Sequence, residues 1–497
     1  MSVAQQAELG TDGRASVLAT SVLVVFLLAM TVTIANVVLP QMQGSLSATR
    51  DQVAWVVTSY LVANAVGVPA TGWLTDRLGS RRLIIWGTIG FSLSTLSCAL
   101  APNLELLVLS RAFQGLLGAP LTPLTMALVL SLYPRRQHGI VTSIFGIGVT
   151  IGPIIAPWLG GILAEDYGWR SVFFLAMPFA ILACLAVLVF IPREKPRRGH
   201  RLDLRGFIFL SLAIACFQLM FDRGERNDWF DSAEITIECL TGIVCLYLFV
   251  VHSLSWRNPY IDLRILANRQ LAIGLLLVLA FGMLSYSPMV LLPSMMQNLR
   301  GYPEEMIGVL LAIRGLGMTL GFVVLLWGSR YDPRIWLFFG FILQVISGWA
   351  TATFDINVTD FQLAWTGFLS GLGIGFVWVP LTVITLGAVP LAQLPLTSSL
   401  FHLLRLLGSS VHISASVAVA LRTSKISFAE IIERLQPGRP ATWGLEGTLS
   451  GAHQAAPIVH EIGRQAQMIG YLNAFMFFAL TALVAMPLIL AVRPPRH

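Results

Sequence analysis

The sequence has 497 residues, of which 56% are apolar and only 11% are charged. Soluble domains usually carry about 25% charged residues, so this composition excludes a soluble globular protein and indicates a membrane protein. The formal net charge of +7 does not indicate nucleic-acid binding, because the cytoplasmic loops of membrane proteins collect Lys and Arg. No basic run outside the apolar segments is interleaved with aromatic residues either.

The cysteines predict neither a metal centre nor a disulfide framework. All of them lie in or beside apolar segments, without metal-ligand spacing: Cys98, Cys184, Cys216, Cys239 and Cys245. We interpret them as small buried apolar residues and expect no metal and no cofactor.

Apolar runs long enough to cross a bilayer recur along the whole chain. They lie near 17–39, 53–73, 83–101, 106–130, 139–163, 171–191, 205–221, 233–254, 269–296, 305–327, 335–353, 361–389, 396–421 and 469–492. The first run exceeds the core of a signal peptide, which has about 7–15 residues, so we expect it to stay in the membrane. Lipid admits only helices or closed barrels, and the alternating pattern of barrel strands is absent. The sequence predicts an all-α integral membrane protein with about fourteen transmembrane helices.

The basic residues of the loops indicate the orientation of the chain. Loops after even-numbered spans carry most of them, including Arg77, Arg135, Arg257 and Arg330. The short loops after odd-numbered spans carry fewer: Arg50, Arg170, Arg223, Arg226 and Arg300. Because short cytoplasmic loops collect Lys and Arg, we expect a multi-pass protein with both termini in the cytoplasm.

The spans divide into three groups. The Arg- and Pro-rich segment 192–205 suggests a hinge, so we expect a six-helix bundle over 1–200, an inserted helix pair over 201–264, and a second six-helix bundle over 265–497. The second bundle is expected to carry a long outer loop over 422–468. This 6 + 2 + 6 pattern is typical of a transporter built from repeated halves.

A glycine- and arginine-rich motif follows the second span. Its glycines allow close backbone approach and tight turns, and Asp76 can cap a facing helix or pair with an arginine. An ordinary positive loop is the alternative. The positions that we assign to a conformational motif are Gly72, Asp76, Arg77, Gly79 and Arg81.

The fifth span carries small residues at every fourth position, which form a groove for a closely packed helix. Interleaved prolines are expected to kink the span, and simple helix packing is the alternative. The candidate positions are Gly148, Gly152, Pro153, Pro157, Gly160 and Gly161.

The fourth span contains Arg111 and Gln114 in an otherwise apolar run. A bare arginine at the bilayer centre costs several kcal/mol, so it must face a cavity or a partner. We favour a functional role for Arg111.

Together these three motifs resemble the major facilitator superfamily, and specifically its fourteen-span drug:proton antiporter branch. Further segments agree in order along the chain: 33–40, 169–170, 222–230, 292–293, 371–375 with Pro380, and 398–408. Among that branch, the chain is most similar to permeases that hand substrate to a periplasmic adaptor and an outer-membrane channel.

The resemblance implies the major-facilitator fold and a proton-driven multidrug exporter in the bacterial inner membrane, not an enzyme. The implied partners are small lipophilic or amphipathic substrates, protons, membrane lipid, and an adaptor with its channel. By analogy, the polar candidates for a central cavity are Thr31, Thr33, Asn36, Tyr60, Asn64, Arg111 and Gln114 in the first bundle and Arg314 and Arg405 in the second. Each Thr or Asn could instead form a helix–helix hydrogen bond of about 0.6–2 kcal/mol.

One departure from the branch concerns proton coupling. The position where its first span usually has an acidic residue is Thr31, and no Asp or Glu lies deep in the first six spans. In the thirteenth span, six polar residues spaced for one helical face include His402 and His412. Histidine titrates near pH 6.5, so either histidine is a candidate for exchanging the coupling proton.

Other functions remain open from the sequence. A transporter of one metabolite, siderophore or fatty acid, or a facilitator without proton coupling, would suit the absent first-span acid. A membrane-embedded enzyme is disfavoured, because the chain has no HExxH motif and no phosphate-binding Gly-Lys-Ser/Thr loop.

Overall fold

The computed structural model describes residues 11–192, 203–434 and 452–492. In these ranges the chain is helical without strands, and fourteen helices are long and apolar enough to cross a membrane. We number them α1 (Asp12–Asn36), α2 (Gln52–Leu78), α3 (Ser80–Leu100), α4 (Leu104–Leu132), α5 (Arg135–Tyr167), α6 (Ser171–Phe190), α7 (Leu204–Arg223), α8 (Ala233–Ser255), α9 (Arg269–Arg300), α10 (Glu305–Gly328), α11 (Pro333–Ala352), α12 (Asp360–Leu386), α13 (Leu391–Arg434) and α14 (Pro457–Leu490). The predicted all-α membrane fold with about fourteen spans is confirmed.

Prolines interrupt three of these helices, and one of the three is α14, which breaks at Met486 and resumes as Pro487–Leu490. A single 3₁₀ turn, Val68–Ala70, breaks α2 at Pro69, and α4 breaks at Ala119 and Pro120 before the chain resumes as Leu121–Leu132. Proline lacks the N–H group that an uninterrupted helix needs, which explains all three positions. A short helix, Leu39–Ser45, connects α1 to α2.

Most packing between the described helices falls within α1–α6 or within α9–α14, which we call the first and second bundle, and α7 packs against both α2 and α13. Contacts within a bundle are close where glycine removes a side chain. In the second bundle, a Cβ atom at Gly371 of α12 would lie 1.9 Å from the carbonyl oxygen of Arg314, and one at Gly317 of α10 would lie 2.2 Å from that of Phe368. The backbones of α10 and α12 are therefore in direct contact, as in small-residue interfaces of membrane helices.

The two ends of the molecule differ in how the bundles meet. We call the end that holds the loops after even-numbered helices, with Arg77, Arg135 and Arg330, the Arg-rich end. There, Phe145 of α5 shares one apolar cluster with Phe322 and other residues of the second bundle. Two further clusters each lie within one bundle: one runs through the first bundle from Val17 to Met42, and the other lies in the outer part of the second bundle around Leu291 and Phe475. The apolar contact between the bundles is thus concentrated in the Arg-rich half.

Within the expected outer loop over 422–468, the residues that the structure describes are helical. The helix that forms α13 continues to Arg434, and a helix begins again at Ala452. The charged residues of this region, such as Arg422 and Glu433, lower its hydropathy without lowering its helix propensity, so the sequence suggested a loop. The expected hinge near 192–205 falls mostly outside the described residues, and the division at residues 200 and 264 stays a prediction.

Candidate functional site

In the first bundle, Arg111 is stacked on a tyrosine and has no solvent exposure. Its guanidinium carbon lies 4.7 Å from the ring centre of Tyr60. Arg111 Nε donates to the Val56 carbonyl at 3.1 Å, and Nη1 donates to Gln114 Oε1 at 2.6 Å. The structure therefore places Arg111 inside the first bundle, whereas the sequence analysis expected it on the wall of a cavity.

Gln114 extends this network to α3. Its Nε2 atom donates to Thr95 Oγ1 at 2.6 Å, and the Thr95 hydroxyl donates to the Phe91 carbonyl at 2.8 Å. The network thus connects α2, α3 and α4 around one cation, although Arg111 Nη2 has no acceptor.

In the second bundle, Arg405 of α13 is also paired with a tyrosine, but it is only half-buried. Arg405 Nη1 donates to the Tyr286 hydroxyl at 2.8 Å. The guanidinium lies 5.6 Å from the Tyr286 ring and 5.3 Å from the Trp378 ring. Tyr286 is 37% exposed, so this pair is accessible where Arg111 is not.

Tyr60 of the first bundle and Tyr286 of the second lie near enough for their phenol groups to influence each other electrostatically. Arg314 of α10 also interacts with Tyr286, and its Nη2 donates to the Ser285 carbonyl at 2.6 Å. Arg314 lines a small cavity of about 10 Å³ together with hydroxyl groups of α11 and α12, which is room for about one water molecule.

The remaining cavity candidates of the first bundle make local contacts. The hydroxyls of Thr31 and Thr33 donate to carbonyls one turn earlier in α1, at 2.7 and 3.0 Å. Asn64 Nδ2 donates to the Gly115 carbonyl at 3.2 Å and so connects α2 to α4. Asn36 is exposed at the end of α1. Thr31 and Thr33 thus bond within α1, whereas Asn64 bonds to a residue that packs directly against the backbone of Tyr60 and so lies beside the first tyrosine–arginine pair.

The two histidines of α13 have different surroundings. His402 is buried beside Trp378 and Phe401, with ring centres 6.0 and 5.5 Å apart, and neither of its nitrogens has a partner. His412 is stacked on Phe477 at 4.9 Å. Its Nδ1 lies 2.6 Å from the hydroxyl of Ser287 on α9, and its Nε2 lies 3.2 Å from that of Thr481 on α14. His412 therefore links three helices, whereas His402 links none.

The motif after the second span lies where the bundles meet at the Arg-rich end. A Cβ atom at Gly72 would lie 3.4 Å from Leu396 of α13. Gly79 joins α2 to α3 with φ +82°, a left-handed conformation that favours glycine. Arg81 donates to the Leu188 carbonyl at 2.8 Å. Asp76 and Arg77 are exposed in the last turn of α2, and Arg77 lies 5.3 Å from the Trp73 ring.

The glycines of α5 pack against α1. Added Cβ atoms at Gly148 and Gly160 would lie 2.4 Å from Val22 and 2.5 Å from Ile34, and one at Gly152 would lie 2.9 Å from the backbone of Met30. Gly161 has nothing within 4 Å, so it is not part of this contact. Pro153 is half-buried in α5, and the side chain of Pro157 lies outside the described residues.

Sequence reasoning missed how the inserted pair is attached. Gln218 and Asp222 lie one turn apart on α7. Gln218 exchanges hydrogen bonds of 2.9 and 3.0 Å with Ser410 of the second bundle, and Asp222 accepts a hydrogen bond from Thr58 of the first. The sequence signal that could have indicated this attachment is Gln218, a polar residue within an apolar span, four positions before Asp222.

Comparison with known proteins agrees with this architecture. The sequence profile of the Major Facilitator Superfamily matches residues 21–411. The chain belongs to the major facilitator superfamily. It is 31% identical over 481 residues to "Multidrug export protein EmrB" of Escherichia coli strain K12, covering 95% of this chain and 94% of that protein. It is 29% identical to "Fatty acid resistance protein FarB" of Neisseria gonorrhoeae, covering 96% and 95% of the two chains.

Solved structures of the superfamily show the same fold. The proton:xylose symporter XylE matches with a TM-score of 0.64 at 12% identity, covering 98% of this chain and 97% of that one. The human organic anion transporter MFSD10 matches with a TM-score of 0.64 at 14% identity, covering 96% and 99%. With its fourteen helices and multidrug export relatives, the chain is confirmed as a member of the fourteen-span drug:proton antiporter branch. It is a multi-pass membrane transporter, not an enzyme.

Proposed function

We propose that this transporter is a secondary active multidrug exporter that moves amphipathic or lipophilic compounds across the bacterial inner membrane by alternating access. The observation that carries the proposal is that each of the two bundles places an arginine against a tyrosine within its spans. Transporters of this architecture hold substrate at the interface of their repeats and rock around it. The names of the relatives EmrB and EmrY support export of several compounds.

The Arg-rich end faces the cytoplasm, with both termini on that side, because short cytoplasmic loops collect arginine. The described conformation is then closed toward the cytoplasm. Two contacts between the bundles must separate in the inward-facing state: Gly72 with Leu396, and Gly139 with Ser329. Both involve glycine at the closest approach, so neither requires a large side chain to be withdrawn.

Aromatic rings suit a large apolar substrate. Trp378 and Tyr286 offer flat apolar faces beside the arginine, and ligand pockets commonly combine such faces with a few polar groups. A substrate seated there would contact both rings and approach Tyr60 across the interface.

We further propose that His402 exchanges the coupling proton in place of the first-span acid. It is buried and unpartnered in this conformation, so it can exchange a proton with water only in a state that exposes it. Such gated access is what coupling requires. His412 has hydrogen-bond partners on both nitrogens and is assigned a packing role.

Delivery to a periplasmic adaptor and an outer-membrane channel fits the two longest helical segments. Span α13 has 44 residues, and at 1.5 Å per residue it is about 66 Å long, roughly twice the hydrocarbon thickness of a bilayer. The helices α13 and α14 therefore project from the end opposite the Arg-rich end, and we assign the adaptor contact to this projection.

Purified protein in liposomes with an imposed pH gradient tests the exporter. We expect gradient-driven flux of a lipophilic dye in the wild type and in H412Q, and loss of the gradient dependence in H402Q with substrate binding retained. Equal loss in both histidine variants would contradict the assignment of His402. Wild-type flux that ignores the gradient would instead support the alternative of a facilitator without proton coupling, which the Thr31 position favours.

A further inference from the structure

The charged side chains that contact Tyr60, Tyr286 or the residue beside Tyr286 in the described structure are all arginines. Arg111 is stacked on Tyr60 and Arg405 donates to the Tyr286 hydroxyl. Arg314 donates to the carbonyl of the neighbouring residue, Ser285. No ion pair in the described part of the chain involves any of these three arginines. Their partners are carbonyls, an amide, a phenol and aromatic rings, which are neutral.

The described carboxylates whose contacts are defined lie away from this level of the membrane. Asp222 and Glu238 are at the outer end of the inserted pair, where they approach Arg226 and Arg223. Asp203 is at the Arg-rich end beside His252. These carboxylates are therefore occupied with groups near the ends of the helices and do not neutralise the three arginines.

Hydrogen bonding shows the same excess of donors. Each of the three arginines keeps one buried nitrogen without an acceptor: Arg111 Nη2, Arg314 Nε and Arg405 Nε. The Tyr286 hydroxyl accepts from Arg405, so its own proton is available to a ligand, and Tyr286 is exposed. What this region lacks is an acceptor, and a negatively charged acceptor is the strongest kind.

Burial increases the electrostatic effect of these uncompensated positive charges. Charges in a low-dielectric interior interact much more strongly than charges in water and are screened little by salt. A cationic ligand beside Tyr286 would be repelled by three uncompensated arginines, whereas an anionic ligand would compensate them.

From this charge pattern we infer that the preferred substrates are amphipathic anions, with the charged group at Arg405 and Tyr286 and the apolar body against Trp378. This inference rests on the proposed exporter function and adds the sign of the substrate charge. Arg405 is the specificity-determining residue because it is the accessible cation of the three, while Arg111 and Arg314 supply a fixed positive field from within their bundles.

Three probes with one chain length and different charge test the inference: decane sulfonate, decyltrimethylammonium and decanol. Equilibrium binding is measured on the full chain in lipid nanodiscs, with empty nanodiscs subtracted, and counterflow is measured in proteoliposomes. We expect the sulfonate to bind at least about tenfold more tightly than the trimethylammonium probe, which corresponds to one charge interaction of modest strength.

Variants assign the preference to Arg405. We expect R405Q to reduce sulfonate binding by about tenfold without weakening the cation, and R405K, which keeps the charge, to retain most of the preference. R257Q removes an exposed arginine outside the spans and serves as the control, with no change expected. A thermal unfolding curve for each variant confirms that the protein is folded.

The outcomes separate the two proposals. Binding and counterflow of the cation or of decanol in preference to the sulfonate would overturn the inferred charge and leave the exporter in place. An anion preference that R405Q leaves intact would overturn the role of Arg405. Failure of all three probes to bind or move would contradict the exporter proposal itself, and the inferred charge with it.

Discussion

The two bundles each place an arginine against a tyrosine, but the two pairs differ in burial and in the number of hydrogen bonds that hold the arginine. In the first bundle Arg111 is fully buried and held by Val56 and Gln114. In the second bundle Arg405 is half-buried and bonded only to an exposed Tyr286 among the described side chains. The same pair of residue types is therefore fully enclosed in one bundle and partly accessible in the other.

The largest effect is expected from a disulfide that prevents the two bundles from separating. In a background without the native cysteines, Gly72→Cys and Leu396→Cys together place two Cβ atoms about 3.4 Å apart, close to disulfide distance. We expect oxidation to abolish transport and reduction to restore it, measured as dye flux in proteoliposomes. Each single variant is the control, and full flux in the oxidised double variant would show that this contact does not open.

The second test makes the same substitution, arginine to glutamine, at each of the two positions and compares the effects. Arg111→Gln leaves buried acceptors at Val56 and Gln114 unpaired, which costs about 1–3 kcal/mol each, so we expect a lower unfolding temperature. Arg405→Gln should leave the unfolding temperature nearly unchanged and weaken substrate binding. Equal effects of both variants on stability and on binding would contradict the comparison.

A third test concerns the start of the inserted pair, where Asp203 precedes α7. Burial raises the pKa of this carboxyl, but hydrogen bonds from the Gly206 N–H, His252 and the Tyr260 N–H lower it, and the pKa ends below its ordinary value. Because the pKa is lower in the folded state, the stabilisation is complete above the ordinary pKa of aspartate, about 3.9, and is lost as the pH falls through the lower value in the folded protein. Thermal unfolding of the wild type should become similar to that of D203N at low pH, and a constant difference down to pH 3 would contradict this.

The smallest effect identifies the bundle with which the inserted pair moves. Removing the Gln218–Ser410 contact by Ser410→Ala, or the Asp222–Thr58 contact by Thr58→Val, should each cost about 0.5–1.5 kcal/mol. We expect one of the two variants to alter the transport rate more than the other, because a pair that follows one bundle must release the other in each cycle. Identical rates in both variants would indicate that α7 follows neither bundle.

Much of the fold was predictable from the sequence, because apolar length and loop arginines are properties of single segments. The fourteen helices follow from hydropathy, and the Gly148, Gly152 and Gly160 stripe identified a helix surface that does pack closely. The helical continuation to Arg434 was not predictable from hydropathy, since a charged helix leaving the membrane has the composition of a loop.

The site was harder to predict because it depends on pairs from distant segments. Arg111 was recognised as exceptional, yet its position behind Tyr60 depends on where α2 crosses α4. The separation of His402 from His412 arises in the same way, since both lie on one predicted face of α13. The packing of α9 and α14 against that helix gives His412 partners from other helices, whereas the nitrogens of His402 have no partner.

The length of α13 has a mechanical consequence. A continuous helix of 41 residues would act as a lever in the proposed tilting of its bundle, with an arm of about 30 Å beyond the hydrocarbon layer. A tilt of about 10° would carry its far end sideways by roughly 5 Å. A protein bound at that end would therefore be moved by roughly 5 Å in each transport cycle, which is more than the rise per residue of a helix, about 1.5 Å. This movement needs no change inside the helix itself.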